Sequence, residues 1–322
     1  MVRLFRQNLL LQFALILVVG VALWLPALAE GGVAMSNMGG APLYDLLYDW
    51  LSPHPLLSTI IGLLLVLVEG WVLNTQLYNN KLISQNTLLP MLCYVLLMSH
   101  SQMGLTPMTM VNLVLLVCVG QLMVPENLTI TLDQLFSSAC LVALASLFYL
   151  PAITLLLPLV ITFMVHSLYR WRHWVMMLLG LLAPYIVVLT VWFLTDRMHY
   201  NLYLTRCLLG DWGLGFSLQT SVYGWVSQIF VLLMLVVSLG SMVSNASEHT
   251  TMYRENMTTI CIPLLASVVM LGYSQVFPVD MQLIALPAAP AMATWFLTRQ
   301  PRKRLGTILY DLTLILLIVL CF

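Results

Sequence analysis

The chain is made of apolar runs about as long as the hydrocarbon core of a bilayer is thick, and that property fixes the solvent it folds in. Leu9 through Leu25 carries no charged side chain, and comparable stretches recur as far as Phe322. A core of roughly 30 Å is crossed by about 20 helical residues. Of the 322 residues, 61% are hydrophobic and 7% charged, whereas soluble domains carry about 25% charged residues. There are too few polar groups to cover a water-facing surface, so lipid is the expected solvent.

Helices are the expected form. The runs are Leu-rich, lack period-2 alternation, and would leave open backbone without partners in lipid. Spans are expected at about 8–29, 57–78, 87–101, 107–124, 133–150, 151–169, 174–194, 222–243, 258–274, 280–298 and 306–322. The fold class is thus all-α, a polytopic transmembrane bundle of about eleven spans in a single integral membrane domain, 1–322. The 87–101 run is short and contains Pro90. The 133–169 stretch is too long for one helix and divides at Tyr149-Leu150-Pro151, because proline suits the first turn of a new helix. The apolar stretch after Arg3 and Arg6 exceeds the roughly 7–15 residues of a signal-peptide core, so it is expected to stay as the first span.

Orientation follows from Lys and Arg, which collect in cytoplasmic loops. With the N-terminus cytoplasmic, Arg3, Arg6, Lys81, Arg170, Arg172, Arg254, Arg299, Arg302, Lys303 and Arg304 all fall inside, ten of the twelve basic residues. Arg197 and Arg206 fall outside. The 12 basic and 12 acidic residues cancel, which leaves no field for nucleic acid. Cys93, Cys118, Cys140, Cys207, Cys261 and Cys321 share no metal-type spacing and are read as core fillers. No cofactor or metal is signalled. The sequons at Asn127, Asn245 and Asn256 lie in loops expected to be cytoplasmic and read as chance matches.

Three polar features stand out. In the first outer loop, Leu43, Leu46, Leu47, Trp50 and Leu51 recur at helical spacing, while Tyr44, Asp45, Tyr48 and Asp49 fill much of the other side. An amphipathic helix in the outer interface is expected there, serving as an anchor or presenting Asp45, Asp49 or the nearby Glu30 as a general base. In the second outer loop, Arg197, His199, Tyr203 and Arg206 gather with Asp196, Asp211 and Trp212. Guanidinium forks of this kind suit phosphate oxygens, although pairing of Arg197 with Asp196 and of Arg206 with Asp211, with snorkelling into headgroups, is the plainer account of them. Glu69 is the one acid placed well inside a span. It must be protonated, paired or open to a wet cavity, with Asn74, Asn112, Gln121 or His166 as hydrogen-bonding candidates. Pro287, Pro290 and the alanines around them suggest a kinked, tightly packed helix or a broken one lining a site.

Several segments recur together in a known pattern: Leu23-Trp24-Leu25-Pro26, Ala41-Pro42-Leu43-Tyr44, the Thr87–Tyr94 segment, Leu147–Pro151, and Arg172-His173-Trp174 with Gly180 and Pro184-Tyr185. By these the whole chain resembles an uncharacterised polytopic inner-membrane family of Bacteroidota, which implies a cell inner-membrane location and no particular chemistry. More distantly, an N-in bundle with an acidic amphipathic helix after its first span is similar to membrane GT-C type glycosyltransferases. Those enzymes take sugars from polyprenyl-phosphate donors at the outer face, using an Asp or Glu of the first outer loop. That likeness implies Asp45 and Asp49 as catalytic candidates, Arg197, His199, Tyr203 and Arg206 as substrate-binding, and membrane lipids and a polyprenyl-phosphate-linked substrate as partners. The loop here is short and holds no paired Asp-Glu motif. The functional expectations are cell-envelope handling of a lipid-linked glycan, a proton-linked transporter using Glu69, or a non-catalytic member of an envelope complex.

Overall fold

A computed structural model describes residues 9–35, 41–83, 87–99, 104–123, 130–195, 222–245, 250–267 and 277–298. All regular structure among these residues is helical. The helices are α1 (Leu9–Ala29), α2 (Pro42–Leu51), α3 (Pro55–Asn79), α4 (Leu89–Ser99), α5 (Pro107–Leu122), α6 (Leu132–Phe148), α7 (Leu156–Val165), α8 (Trp171–Leu194), α9 (Val222–Asn245), α10 (Thr251–Cys261) and α11 (Phe277–Thr298). A 3-10 segment, Leu150–Leu155, precedes α7. The expected span 306–322, the 299–304 basic cluster and the whole second outer loop lie outside the described residues.

Three helices, α1, α3 and α8, are long and apolar enough to cross a membrane, with shorter apolar helices packed among them. Their outer faces carry large apolar side chains that no protein covers, including Val18 and Leu25 on α1, Leu64 and Trp71 on α3, and Val187 and Phe193 on α8. A belt of this kind is stable only against an apolar medium. Burial on α3 follows the opposite stripe: Gly62, Val66, Glu69, Gly70, Leu73 and Leu77, spaced as one face of a helix.

The centre of the bundle is α4, whose eleven residues are all buried. It is about 16 Å long, too short to cross a bilayer alone. Its apolar residues go all round, as a core helix requires, and it packs against α1, α3 and α11. In α11, small residues make close packing possible: Ala285, Ala288, Ala289, Ala291 and Ala293 are fully buried or nearly so. Pro287 and Pro290 stand inside this helix, which runs continuously past both. At α8 the close approach is at Gly180, where a Cβ would run into the Phe136 carbonyl of α6.

Local sequence explains the breaks. Thr131 and Gln134 form a reciprocal capping box at the start of α6, satisfying amides that would otherwise lack partners. Tyr149 is extended, and Pro151 opens the 3-10 segment. The expected divide at 149–151 is therefore present, but the second helix needs one 3-10 stretch before it becomes α-helical.

Long-range hydrogen bonds tie the helix ends into two groups. At one end Trp24 Nε1 donates to Ser99 Oγ (2.9 Å), Val33 N to Thr59 Oγ1 (3.0 Å), Tyr44 OH to the Leu105 carbonyl (3.3 Å) and Thr106 Oγ1 to Gln282 Oε1 (2.7 Å). At the other end Leu88 N donates to Gln12 Oε1 (2.9 Å), and Asn80 Nδ2 meets Met123 Sδ (3.3 Å). His166 there meets Thr259 Oγ1 at 3.2 Å and Glu255 at 3.7 Å. So α1 and α4 run one way, and α3, α5 and α11 run the other. Glu30, Asp45 and Asp49 sit at the first end. Lys81, Arg170, Arg172 and Arg254, the described basic residues, sit at the second.

Candidate functional site

The buried stripe of α3 points Glu69 into the bundle instead of towards lipid. Its side chain is 0% exposed. Glu69 Oε2 accepts a hydrogen bond from Tyr94 OH at 2.8 Å. Tyr94 comes from α4 and is itself buried. Gly70 lets the two helices close here, since a Cβ at that position would lie 3.4 Å from Tyr94 Cδ1 and 3.2 Å from Met91 Cγ. One turn along α4 from Tyr94, Met98 meets the Asn112 amide of α5. Asn112 Nδ2 donates to the Gln282 carbonyl of α11 at 2.9 Å and to Met98 Sδ at 3.4 Å. Gln282 in turn accepts from Thr106, the N-cap of α5. A polar track thus runs from Glu69 and Tyr94, past Met98 one turn along α4, to Asn112, Gln282 and Thr106 at the first end, stitching α3, α4, α5 and α11 together.

The track is not fully satisfied. Glu69 Oε1 and Asn112 Oδ1 are buried and have no hydrogen-bond partner among the described residues. No Lys, Arg or His among those residues forms an ion pair with Glu69; His166 stands instead 3.7 Å from Glu255. Leaving a buried polar atom unpartnered costs about 1–3 kcal/mol, so such atoms mark places where something else binds or moves.

Of the four hydrogen-bonding candidates named for Glu69 from sequence, Asn112 lies near it but does not bond it, meeting α4 at Met98, one turn beyond Tyr94. His166 does not: it caps α7 at the second end, against Glu255 and Thr259. The direct partner, Tyr94, was missed. The available signal was a tyrosine inside an apolar run, whose hydroxyl needs a partner when buried.

The acids of the first outer loop are arranged differently from Glu69. The amphipathic helix is present as α2, and one side of it turns into the bundle. Tyr44 is 2% exposed and Leu51 likewise, while Leu46 and Trp50 are exposed, Trp50 at 69%. Tyr44 turns inward because its hydroxyl finds the Leu105 carbonyl. Burial first, then the neighbouring Tyr48 and Asp45, hold that hydroxyl above its ordinary pKa, so it stays a donor. Asp45 is half-buried beside Tyr44; Asp49 is exposed, as is Glu30 at the end of α1. Arg197, His199, Tyr203 and Arg206 lie outside the described residues.

Among the described residues no group of three or more His, Cys, Asp or Glu side chains could hold a metal ion. Cys93 and Cys118 are buried and unpaired. A void of about 20 Å³ lies at the second end between Cys118, Leu122, Thr162, Thr259 and Pro263, mostly apolar and about the size of one water. Compared with known proteins, the chain matches no family model, no curated protein and no solved structure.

Proposed function

We propose that the chain is a multi-pass protein of the cell inner membrane, N-terminus cytoplasmic, and that it works as a proton-linked transporter with Glu69 as its protonation site. The observation that carries this is the enclosed Glu69 carboxyl, with Tyr94 on one oxygen, nothing on the other and no basic partner among the described residues. An acid so placed at membrane depth is costly to keep ionised and is a usual mark of an ion or proton path. Helix α11, which meets Asn112 through the Gln282 carbonyl, carries two prolines further along, where a helix can bend. The expected count of about eleven spans is supported by the alternation of helix ends. It is supported further by the position of the described basic residues at one end, as cytoplasmic loops require. The test is proton flux in proteoliposomes holding an interior pH dye under an imposed potential, with a small-molecule extract of the source cells as co-substrate. Wild-type protein should acidify the interior and Glu69→Gln should not; equal acidification by the two would dismiss the reading.

A second reading, handling of a lipid-linked glycan at the outer face, is favoured by α2. Leu46 and Trp50 are exposed on the same helix as the exposed Asp49, which sets an acid at headgroup level. In this reading Asp45 and Asp49 are the base candidates, and Arg197, His199, Tyr203 and Arg206 hold the phosphate of a polyprenyl-linked substrate. Alanine at Asp45 and Asp49 together should then abolish transfer of labelled sugar to membrane lipid in vesicles.

A further inference from the structure

We propose that Glu69, Tyr94 and Asn112 form a binding site for a small monovalent cation, sodium rather than potassium, which takes the place of the carboxyl proton. This rests on the reading of Glu69 as a protonation site and names the ion that shares it. Two oxygens with no partner among the described residues, Glu69 Oε1 and Asn112 Oδ1, belong to side chains that reach α4 one turn apart, Glu69 at Tyr94 and Asn112 at Met98. Both residues are 0% exposed. The Asn112 amide is oriented by its own nitrogen: Nδ2 donates to the Gln282 carbonyl and to Met98 Sδ, so the oxygen is left for another ligand.

The donor set selects the ion. Hard oxygen donors without thiolate or imidazole suit hard cations. One carboxylate balances one positive charge, whereas sites for divalent hard cations draw on more carboxylates and ordered oxygens. A carboxylate oxygen has a strong local field, which favours the smaller alkali ion. Proton and sodium then exclude one another: the ion binds the ionised carboxylate, and protonation releases it.

The groups that face Glu69 leave this competition to Glu69 itself. On α4 the neighbouring titratable groups are Tyr94 and Cys93, and on α5 Cys118, whose Sγ meets the Ser138 carbonyl at 3.6 Å. Helix α1 has no titratable side chain, and the acids and tyrosines of α2 lie at the far end of α3, about 20 Å away along its axis.

The experiment is thermal unfolding of the full-length protein in detergent, in NaCl, KCl or choline chloride at equal ionic strength, at alkaline and at acid pH. At alkaline pH each tenfold rise in sodium above the dissociation constant should multiply the folded-to-unfolded ratio about tenfold, raising the midpoint. The rise should vanish at acid pH and be absent in choline and weak in potassium. Asn112→Leu should lose the sodium response and keep the pH response, and Glu69→Gln should lose both. Equal midpoints in all three salts, with the pH response still lost in Glu69→Gln, would overturn the sodium site and leave the proton reading standing. A pH response unchanged in Glu69→Gln would overturn both. If Asn112→Leu does not fold, wild-type protein and Glu69→Gln carry the test, because absence of any sodium response in the wild type, or a sodium response kept in Glu69→Gln, contradicts the site.

Discussion

Glu69 and Tyr94 depend on each other in a way that single substitutions expose. Removing the hydroxyl leaves the whole carboxyl buried with no donor among the described residues, so Tyr94→Phe should destabilise the protein by about 1–3 kcal/mol. Replacing both partners with apolar groups of similar volume should cost much less, since neither is then left unpaired. Thermal unfolding of Tyr94→Phe, Glu69→Met and the double variant measures this. Additive losses in the double variant would mean that the 2.8 Å contact carries no coupling. At this scale the sequence was informative about Glu69, because a lone acid in an apolar run is conspicuous. It was not informative about Tyr94. Position along the chain does not say which turn of α4 faces which turn of α3, and four polar side chains elsewhere in the apolar runs were equally available as partners.

Elements were legible where their length carries the signal. Helices α1, α3, α5, α6, α8, α9 and α11 coincide with expected spans to within three residues at each end, because apolar run length and helix length are the same quantity in lipid. Where another force sets the boundary, run length misleads. Helix α10 begins at Thr251, seven residues before the span expected from 258, because the Thr250 side chain caps it by accepting from Tyr253 N. Helix α2 was legible as an amphipathic helix, but the inward turn of Tyr44 was not, because it goes with a long-range hydrogen bond to the Leu105 carbonyl. That bond makes α2 sensitive to base. A tyrosine whose pKa is raised by folding stabilises fully below its unfolded value of about 10, and the contribution fades as pH climbs through the folded value. Docking of α2 should therefore loosen above about pH 10, read as faster hydrogen exchange in residues 42–51. In Tyr44→Phe that exchange should already be fast at neutral pH and lack the alkaline step. An alkaline step of the same size in Tyr44→Phe would place its origin elsewhere.

For the whole molecule, the central claim is that the bundle threads a bilayer with α2 on the outer side and the described basic residues on the inner. The chain's charge pattern is the ground for this claim, and the helix ends pair in keeping with it mainly through hydrogen bonds between uncharged groups. What the sequence does not carry is which long-range partners close each end, since Thr106 and Gln282 are separated by most of the chain. The direct measurement is labelling of intact cells with a membrane-impermeant maleimide, using single cysteines placed at Asp49, Lys81 and Arg254 in a background freed of the native ones. Cysteine at 49 should label at once, while those at 81 and 254 should label after the membrane is opened. Labelling of 81 or 254 in sealed cells, or protection of 49, would contradict the account.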